Sequence, residues 1–326
     1  MKQMGEGRLL AWAVGIDIGG TKIAGGLVCS DGRILHLNRR PSRAGEGPGA
    51  VAATAVEVAK GLVACATAEG LRPVALGIGT GGQVDTVKQQ IVGSTAVIPG
   101  LAGYPLREQL QEETGLPTFL DNDAKVVARA EALWGAAQGV RDAIIVTLGT
   151  GIGGAVIVNG DVIDGARGLA GHLGHIVVQP DGPTCSCGGR GCLEALASAT
   201  AILRAAREKA ANDLTLGARV VDATAVFRLG AQGVSWANAL LDRAANAIGL
   251  GLAGLVHTFD PELIVVGGGL AAWGEPWRER LAAAIRARVM ESFRGHFEVR
   301  LARFGPDAGV AGAGALALAR VGSGGW

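Results

Sequence analysis

Short runs of aliphatic and β-branched residues, separated by glycine-containing turns, occupy the beginning of the chain. Residues 11–37 contain three such runs, and this pattern predicts three antiparallel strands joined by tight turns. An alanine- and valine-rich stretch over 49–69 predicts a helix, and the apolar run over 73–79 predicts a buried strand. The first half of the chain is therefore predicted to have the order β-β-β-α-β.

The same order of elements returns in the second half. Residues 143–163 alternate in the manner of strands and hairpins, two helical patterns follow, and 263–269 predicts a buried strand that ends in glycines. We therefore predict an α/β protein of two related domains. We expect the first domain to span residues 1–122, with a C-terminal helix over 307–326 packed back on it. The second domain is expected to span residues 123–306.

Composition describes a well-buried globular protein. Of its 326 residues 49% are hydrophobic, and 30 basic against 29 acidic residues give a formal charge of +1. This balance favours small-molecule partners over nucleic acid or an anionic membrane surface. The longest apolar run, 143–158, is interrupted by threonines and glycines, which is unlike a membrane helix. No export signal is recognisable, and an odd number of cysteines, three of them clustered, fits a reducing compartment. We expect a cytoplasmic protein.

A glycine-rich turn between the first two predicted strands is a candidate phosphate-binding loop. Gly19 and Gly20 would let backbone N–H groups approach a phosphate, while Thr21 and Lys22 add a hydroxyl group and a cation. Asp17 would hold Mg2+, directly or through water. The alternative is an ordinary hairpin with a solvated aspartate and lysine.

A second glycine- and threonine-containing turn lies at the equivalent place in the second half. It contains Gly149, Thr150, Gly151 and Gly153, and with Gly154 it also fits the G-x-G-x-x-G dinucleotide fingerprint. That fingerprint requires a helix directly after the glycines, whereas the next ten residues alternate and turn like a hairpin. We therefore favour a second phosphate loop over a Rossmann dehydrogenase.

The glycines after the last buried strand are candidates for nucleotide binding. Gly268 and Gly269 would let the backbone approach the adenosine part of a nucleotide. A plain strand-to-helix turn explains them equally well, and the chain has no G-x-x-x-x-G-K-[ST] motif.

The sequence LDNDAK supplies a candidate catalytic base. Asp123 is predicted to begin a helix, where the helix dipole and free N–H groups keep a carboxylate ionised. Such a carboxylate can orient an attacking hydroxyl group and accept its proton in phosphoryl transfer. Asn122 would hydrogen-bond the same substrate. The alternative is that Asp121 or Asp123 only caps the helix.

Residues 171–194 combine histidines, cysteines and a carboxylate, a clustering that indicates a metal site beside the acid Glu194. Three thiolates and one imidazole form the Cys3His tetrahedron that zinc prefers. His172 is a competing fourth ligand. The alternatives are disulfides or thiols that merely pack. The favoured ligands are His175, Cys185, Cys187 and Cys192.

Together the motifs DIGGTK, LGTGIGG, DNDA, GHxxxxxPxGxxCxCGxxGCxE and a late GGG resemble the ROK family of sugar kinases and sugar-sensing repressors, over roughly residues 12–320. The resemblance implies two actin-like, or ribonuclease-H-like, α/β domains around a central cleft, with a zinc-binding loop. It implies ATP and Mg2+ on the glycine loops, a sugar between the domains, and a homo-oligomer, either a dimer or a tetramer. The implied reaction transfers the γ-phosphate of ATP to the 6-hydroxyl of a hexose or N-acetylhexosamine.

The resemblance also assigns roles to individual residues. Asp123 would be the base that activates the sugar hydroxyl, and the zinc would be structural. A stretch over 81–85, together with Thr95, is similar to N-acetylmannosamine kinases, so N-acetylmannosamine and glucose are the leading substrates. The implied sugar contacts are Gly82, Gln83, Thr95, Asn122, Asp123, His172, His175 and Glu194.

Two positions depart from the family pattern. His172 stands where the family usually has Glu, and Lys125 stands where it usually has Asn; a cation there would steady Asp123 or contact the substrate. The alternative to a kinase is therefore a weak or inactive sugar-binding regulator without a DNA-binding domain. Repressors of the family carry a helix-turn-helix ahead of the DxGxTK motif, and only 16 residues precede Asp17 here. We expect the kinase branch.

Overall fold

Each half of the chain contains three strands, then helical structure, then a further strand, which is the order that the hydrophobic pattern predicts. The computed structural model describes residues 10–93, 98–210 and 220–322. Within them the strands are β1 Trp12–Ile18, β2 Lys22–Cys29, β3 Ile34–Pro41, β4 Pro73–Thr80, β5 Gln83–Asp85, β6 Gln90–Gly93, β7 Thr118–Asn122, β8 Ala143–Leu148, β9 Ile152–Val158, β10 Asp161–Val162, β11 Leu263–Gly267 and β12 Glu298–Leu301. The α-helices are α1 Pro48–Ala68, α2 Leu106–Thr114, α3 Asp123–Trp134, α4 Leu193–Ala197, α5 Ala199–Ala210, α6 Ala223–Ala231, α7 Ser235–Phe259, α8 Glu275–Arg286 and α9 Ala308–Val321.

The chain divides into two compact units. The first takes the described residues within 1–134, 167–169 and 307–326, and the second takes those within 135–166 and 170–306. The first unit therefore extends beyond residue 122, because α3 packs on α9. A Cβ atom built at Gly312 of α9 would overlap the backbone of Val126 in α3, so only glycine permits this close approach.

The first unit contains a five-stranded sheet in the order β3-β2-β1-β4-β7. Strands β1, β2 and β3 pair antiparallel, because tight turns join them. Strand β4 pairs parallel with β1, and β7 pairs parallel with β4. A parallel return needs a long crossover, and α1 supplies it between β3 and β4.

The second unit repeats this arrangement in a sheet of order β10-β9-β8-β11-β12. Its first three strands pair antiparallel, and β11 pairs parallel with both β8 and β12. The predicted α/β fold class and the repeated strand order are thus confirmed.

Two long apolar helices form part of the two cores. Helices α1 and α7 are long and apolar enough, by length and composition alone, to cross a membrane. In the structure α1 buries residues such as Val51 and Leu62 in the core of the first unit. Helix α7 buries Leu241 and Ile248 in the core of the second. Their apolar composition is therefore accounted for by packing within each unit.

Candidate active site

The turn between β1 and β2 is the first predicted phosphate loop. It closes through a hydrogen bond from the Gly19 N–H group to the Lys22 carbonyl oxygen (3.0 Å), and Thr21 and Lys22 are exposed. Buried Ser42 supports the turn from outside. Its hydroxyl donates to the Gly20 carbonyl oxygen (2.5 Å), and its N–H group donates to the Thr21 carbonyl oxygen (3.1 Å). The turn is thus a braced structure with its cation at the surface.

Asp17, near the end of β1, lies close to the second predicted acid. The pKa of Asp17 is raised from 3.8 to about 7, mainly by burial and also by the negative charge of Asp123, while the charge of Lys22 acts in the opposite direction. A buried carboxyl group beside a second acid resists ionisation unless a cation is present. Two carboxylates and the glycine turn therefore form an arrangement suited to a hard divalent cation such as Mg2+.

Asp123 is the first residue of α3, as predicted, and its side chain is exposed. One carboxylate oxygen, Oδ1, accepts from the Ala124 N–H group (2.8 Å). Asn122 Oδ1 accepts from the N–H groups of Ala124 (3.0 Å) and Lys125 (3.4 Å). Asn122 therefore takes part in capping the helix, and an exposed carboxylate remains at its first turn.

Asn122 also fixes the turn after β4. Its Nδ2 group donates to the Gly82 carbonyl oxygen (2.9 Å). Gly82 has φ +106°, and a Cβ atom there would overlap the Gly93 carbonyl oxygen, so this position requires glycine. Gln83 follows it and is exposed. The first unit thus places Gly82 next to Asn122, whereas the predicted contact Thr95 lies outside the described residues.

Lys125 lies inside the first unit, away from solvent. Its side chain is 1% exposed, and Nζ lies 3.3 Å from Oδ1 of the fully buried Asp121. The same Nζ donates to the Gly168 carbonyl oxygen (3.1 Å), and Arg129 binds the other Asp121 oxygen (3.2 Å). A buried ammonium group in these contacts is a structural cation rather than a group presented to a dissolved substrate.

The second predicted phosphate loop joins β8 to β9. The Gly149 N–H group donates to the Gly151 carbonyl oxygen (2.9 Å), which makes a tight turn with Thr150 exposed. The start of α5 holds it: Ala199 N–H donates to Gly149 O (2.9 Å), and Thr200 Oγ1 donates to Thr150 O (2.8 Å). Gly153 follows in β9.

The glycines after β11 approach this loop. Gly268 has φ +81°, and a Cβ atom on it would lie 2.6 Å from the Leu148 nitrogen. A Cβ atom on Gly149 would lie 3.9 Å from the Gly269 nitrogen. The two turns predicted to bind nucleotide are therefore neighbours in the second unit.

Glu194 links the cysteine loop to the phosphate loop of the same unit. Its Oε2 accepts from the Ile152 N–H group (2.9 Å), and its Oε1 accepts from Ser186 Oγ (3.1 Å). A Cβ atom on Gly151 would overlap Glu194 Oε2, so the carboxylate lies directly on the glycine turn. Glu194 therefore has a supporting role in addition to any contact with a ligand.

The predicted zinc ligands come together in the second unit. One donor atom from each of four residues lies within 4.8 Å of all the others, and these residues are His175, Cys185, Cys187 and Cys192. His175 Nδ1 lies 3.6 Å from Cys185 Sγ, and the Sγ atoms of Cys187 and Cys192 are 3.7 Å apart. A tetrahedron with Zn–S bonds of about 2.3 Å has edges of about 3.8 Å, whereas a disulfide needs about 2.0 Å. The cluster is compatible with zinc.

A thiolate at the buried end of this cluster would need a positive charge close by. Burial and the neighbouring thiols raise the pKa of Cys192 to about 12. A divalent cation supplies the positive charge that favours the thiolate form. His172 does not belong to the cluster among the described residues; its ring centroid is 6.2 Å from that of His175, and its carbonyl accepts from the His175 N–H group (3.1 Å).

Several supporting residues were not predicted from the sequence. Ser42 braces the first loop, Ser186 binds Glu194, and Gly309 at the start of α9 lies against Asp17. Ser186 lies inside the cysteine motif, which was a usable signal. Ser42 and Gly309 carry no local pattern that separates them from other turn serines and helix glycines.

Comparison with known proteins assigns nearly the whole chain to a family. The model of the ROK family matches residues 13–320. The glucokinase of Thermotoga maritima is 37% identical over 320 residues, which cover 95% of this chain and 98% of that protein. The N-acetylmannosamine kinase of Escherichia fergusonii is 34% identical over 304 residues, which cover 93% of this chain and 97% of that protein. The crystal structure of a ROK family glucokinase from Streptomyces griseus, in complex with glucose and AMPPNP, has a TM-score of 0.82 and 33% identity. The match covers 94% of this chain and 99% of that protein.

Proposed function

Because the chain belongs to the ROK family, we propose that it is an ATP-dependent sugar kinase. It would transfer the γ-phosphoryl group of ATP to the 6-hydroxyl of a hexose or N-acetylhexosamine. The glucokinase and N-acetylmannosamine kinase among its relatives make glucose and N-acetylmannosamine the leading substrates. The observation that carries the proposal is the pair formed by Asp17, near the end of β1 and just before the glycine turn, and exposed Asp123 at the first turn of α3.

Asp123 is proposed as the catalytic base. Its carboxylate is exposed, so a sugar hydroxyl group can reach it, and the N-terminus of α3 favours its ionised form. It would accept the proton of the attacking hydroxyl group while the phosphoryl group transfers, a step that otherwise depends on positioning and charge stabilisation.

Asp17 and the glycine turns are proposed to bind the nucleotide. Backbone N–H groups and the exposed Thr21, Lys22 and Thr150 would contact phosphates, and the Gly268–Gly269 turn would pack against adenosine. Asp17 would hold Mg2+, which neutralises phosphate charge when bound. The ATP analogue AMPPNP in the Streptomyces griseus glucokinase supports ATP as the donor.

Residues of both units are proposed to contact the sugar. In the first unit they are Gly82, Gln83, Thr95, Asn122 and Asp123. In the second unit they are His172, His175 and Glu194. An imidazole at His172 in place of the family's usual carboxylate changes both charge and hydrogen bonding, so we propose that this position affects which sugar is accepted.

Structural zinc is proposed at His175 and the three clustered cysteines. Four protein ligands close the coordination sphere, so the metal would brace the loop without taking part in the reaction. The loop in turn carries Ser186, which holds Glu194 against the second glycine turn.

We also propose a cytoplasmic homo-oligomer, a dimer or a tetramer, without nucleic-acid or membrane partners.

A substrate panel tests the kinase proposal. ATP consumption is measured by a coupled assay with glucose, mannose, fructose, N-acetylglucosamine and N-acetylmannosamine. Turnover with one of these sugars supports a kinase. Calorimetric binding of a sugar without turnover would instead support the second candidate, a sugar-binding regulator. The departure that favours this candidate is His172, since Lys125 is buried in contacts within the first unit.

A further inference from the structure

Gly309, in the first turn of α9, lies directly against the carboxylate of Asp17. A Cβ atom built at Gly309 would lie 2.6 Å from Asp17 Oδ2 and 2.7 Å from Oδ1, and it would also overlap Cγ. Real Cβ atoms essentially never come within 3.0 Å of such neighbours. We infer that Gly309 is a positioning residue, which keeps the Asp17 carboxylate in place by having no side chain. Its role in the reaction rests on the proposed function.

Backbone conformation does not explain a glycine at this position. Gly309 is helical, and its φ lies outside the positive range that L-residues avoid. Alanine is a better helix former than glycine, by about 1 kcal/mol in a helix interior, so helix propensity gives no reason for a glycine in this first turn. Space for the Asp17 side chain is the remaining reason.

The backbone of α9 cannot easily move away from a larger residue at position 309. A Cβ atom at Gly312 would overlap the Val126 backbone, and one at Gly15 of β1 would lie 2.9 Å from the Gly314 nitrogen. These approaches fix α9 against both α3 and the sheet.

The backbone of Asp17 is also fixed, because β1 lies between two paired strands. Asp17 stands opposite Ala24 of β2 and Gly79 of β4. An added methyl group at 309 would therefore be relieved mainly by rotation of the short Asp17 side chain. That rotation would move its carboxylate relative to Lys22 and Asp123.

Kinetics of Gly309→Ala test this role, with Gly61→Ala as the control. Gly61 is also helical and in the same unit, and apart from its own chain neighbours and helix backbone no described atom lies within 4 Å of a Cβ built on it. We expect Gly309→Ala to lower kcat about 100-fold, the order of loss that corresponds to a misplacement of about 1 Å, and to raise the half-saturating Mg2+ concentration. The KM for the sugar should stay unchanged, and Gly61→Ala should match the wild type.

A double-mutant cycle separates this role from general packing. Asp17→Ala removes the three atoms nearest to the new methyl group, so adding Gly309→Ala should then cost no further activity. In urea unfolding, Gly309→Ala should lower the midpoint of the wild type and raise that of Asp17→Ala, as a better helix former would. If Gly309→Ala fails to fold alone, recovery of folding in the double variant supports the inference.

The inference would be overturned if Gly309→Ala lowered stability equally in the wild type and in Asp17→Ala. It would also be overturned if Gly309→Ala kept the kcat and Mg2+ dependence of the wild type. Either result would leave the kinase proposal intact. A wild-type chain that phosphorylates no sugar of the panel would defeat the proposed function instead. The urea cycle requires no activity, so it still decides whether Gly309 sets the place of Asp17.

Discussion

The ammonium group of Lys125 donates to the carbonyl oxygen of Gly168 across 3.1 Å, within the first unit. Gly168 lies in the three-residue segment 167–169, whose flanking residues belong to the second unit. The backbone of this segment is also held by the Thr86 N–H group, which donates to the Arg167 carbonyl oxygen (3.2 Å). Lys125 therefore anchors a short stretch of chain that leads directly to His172.

Removing this cation should destabilise the protein strongly. Lys125→Met leaves fully buried Asp121 without one of its two basic neighbours and the Gly168 carbonyl without its donor. We expect a loss of about 3–5 kcal/mol in the free energy of unfolding, the range seen when a buried ion pair is broken. Lys60→Met, which removes the exposed pair with Glu113, should cost at most about 1 kcal/mol. Similar small losses for both variants would contradict the structural role of Lys125.

Ionisation of Asp17 should make stability fall as pH rises. Its pKa is 3.8 in the unfolded reference and about 7 in the folded protein. The folded state therefore binds the additional proton between these values, so the stabilisation is complete below about pH 4 and is lost by about pH 7. The shift corresponds to at most about 4 kcal/mol.

Asp17→Asn keeps the neutral form at every pH and serves as the reference. In Mg2+-free buffer, wild type should lose free energy of unfolding relative to Asp17→Asn between pH 5 and pH 8, as measured by urea titration. A constant difference across that range would show that the folded protein does not raise the pKa of Asp17.

Zinc should purify with the chain at one equivalent. Elemental analysis after purification without added metal checks this, and Cys192→Ser should lower the zinc content and the melting temperature, because ligand loss costs folding free energy. Cys65→Ser is the control, since Cys65 is exposed and outside the cluster. A folded, active wild-type sample without zinc would contradict the assignment.

Local pattern predicted β1 to β4, β8 to β11, both glycine turns and the place of Asp123 at the start of α3, whereas the short strands β5, β6 and β12 were not predicted. Each of the predicted features depends on residues that are close in sequence. The position of Lys125 beside Asp121 also follows a local rule, since residues four apart share a helix face, and this signal could have been used.

Packing between distant segments could not be predicted in the same way. Gly309 and Asp17 lie near opposite ends of the chain, and only the docking of α9 on the first sheet brings them together. The same docking keeps α3 in the first unit, so the compact unit extends to Trp134. No periodicity within α3 or α9 specifies which neighbour each helix will meet.

Steady-state kinetics of Asp123→Asn test the central proposal most directly. Asparagine keeps the size of the side chain but cannot accept the hydroxyl proton, so kcat should fall by about 10²–10⁴-fold while the melting temperature stays that of the wild type. Asp161→Asn, at an exposed position of β10, should retain full activity. A near-normal kcat for Asp123→Asn with the preferred sugar would contradict the assignment of Asp123 as the catalytic base.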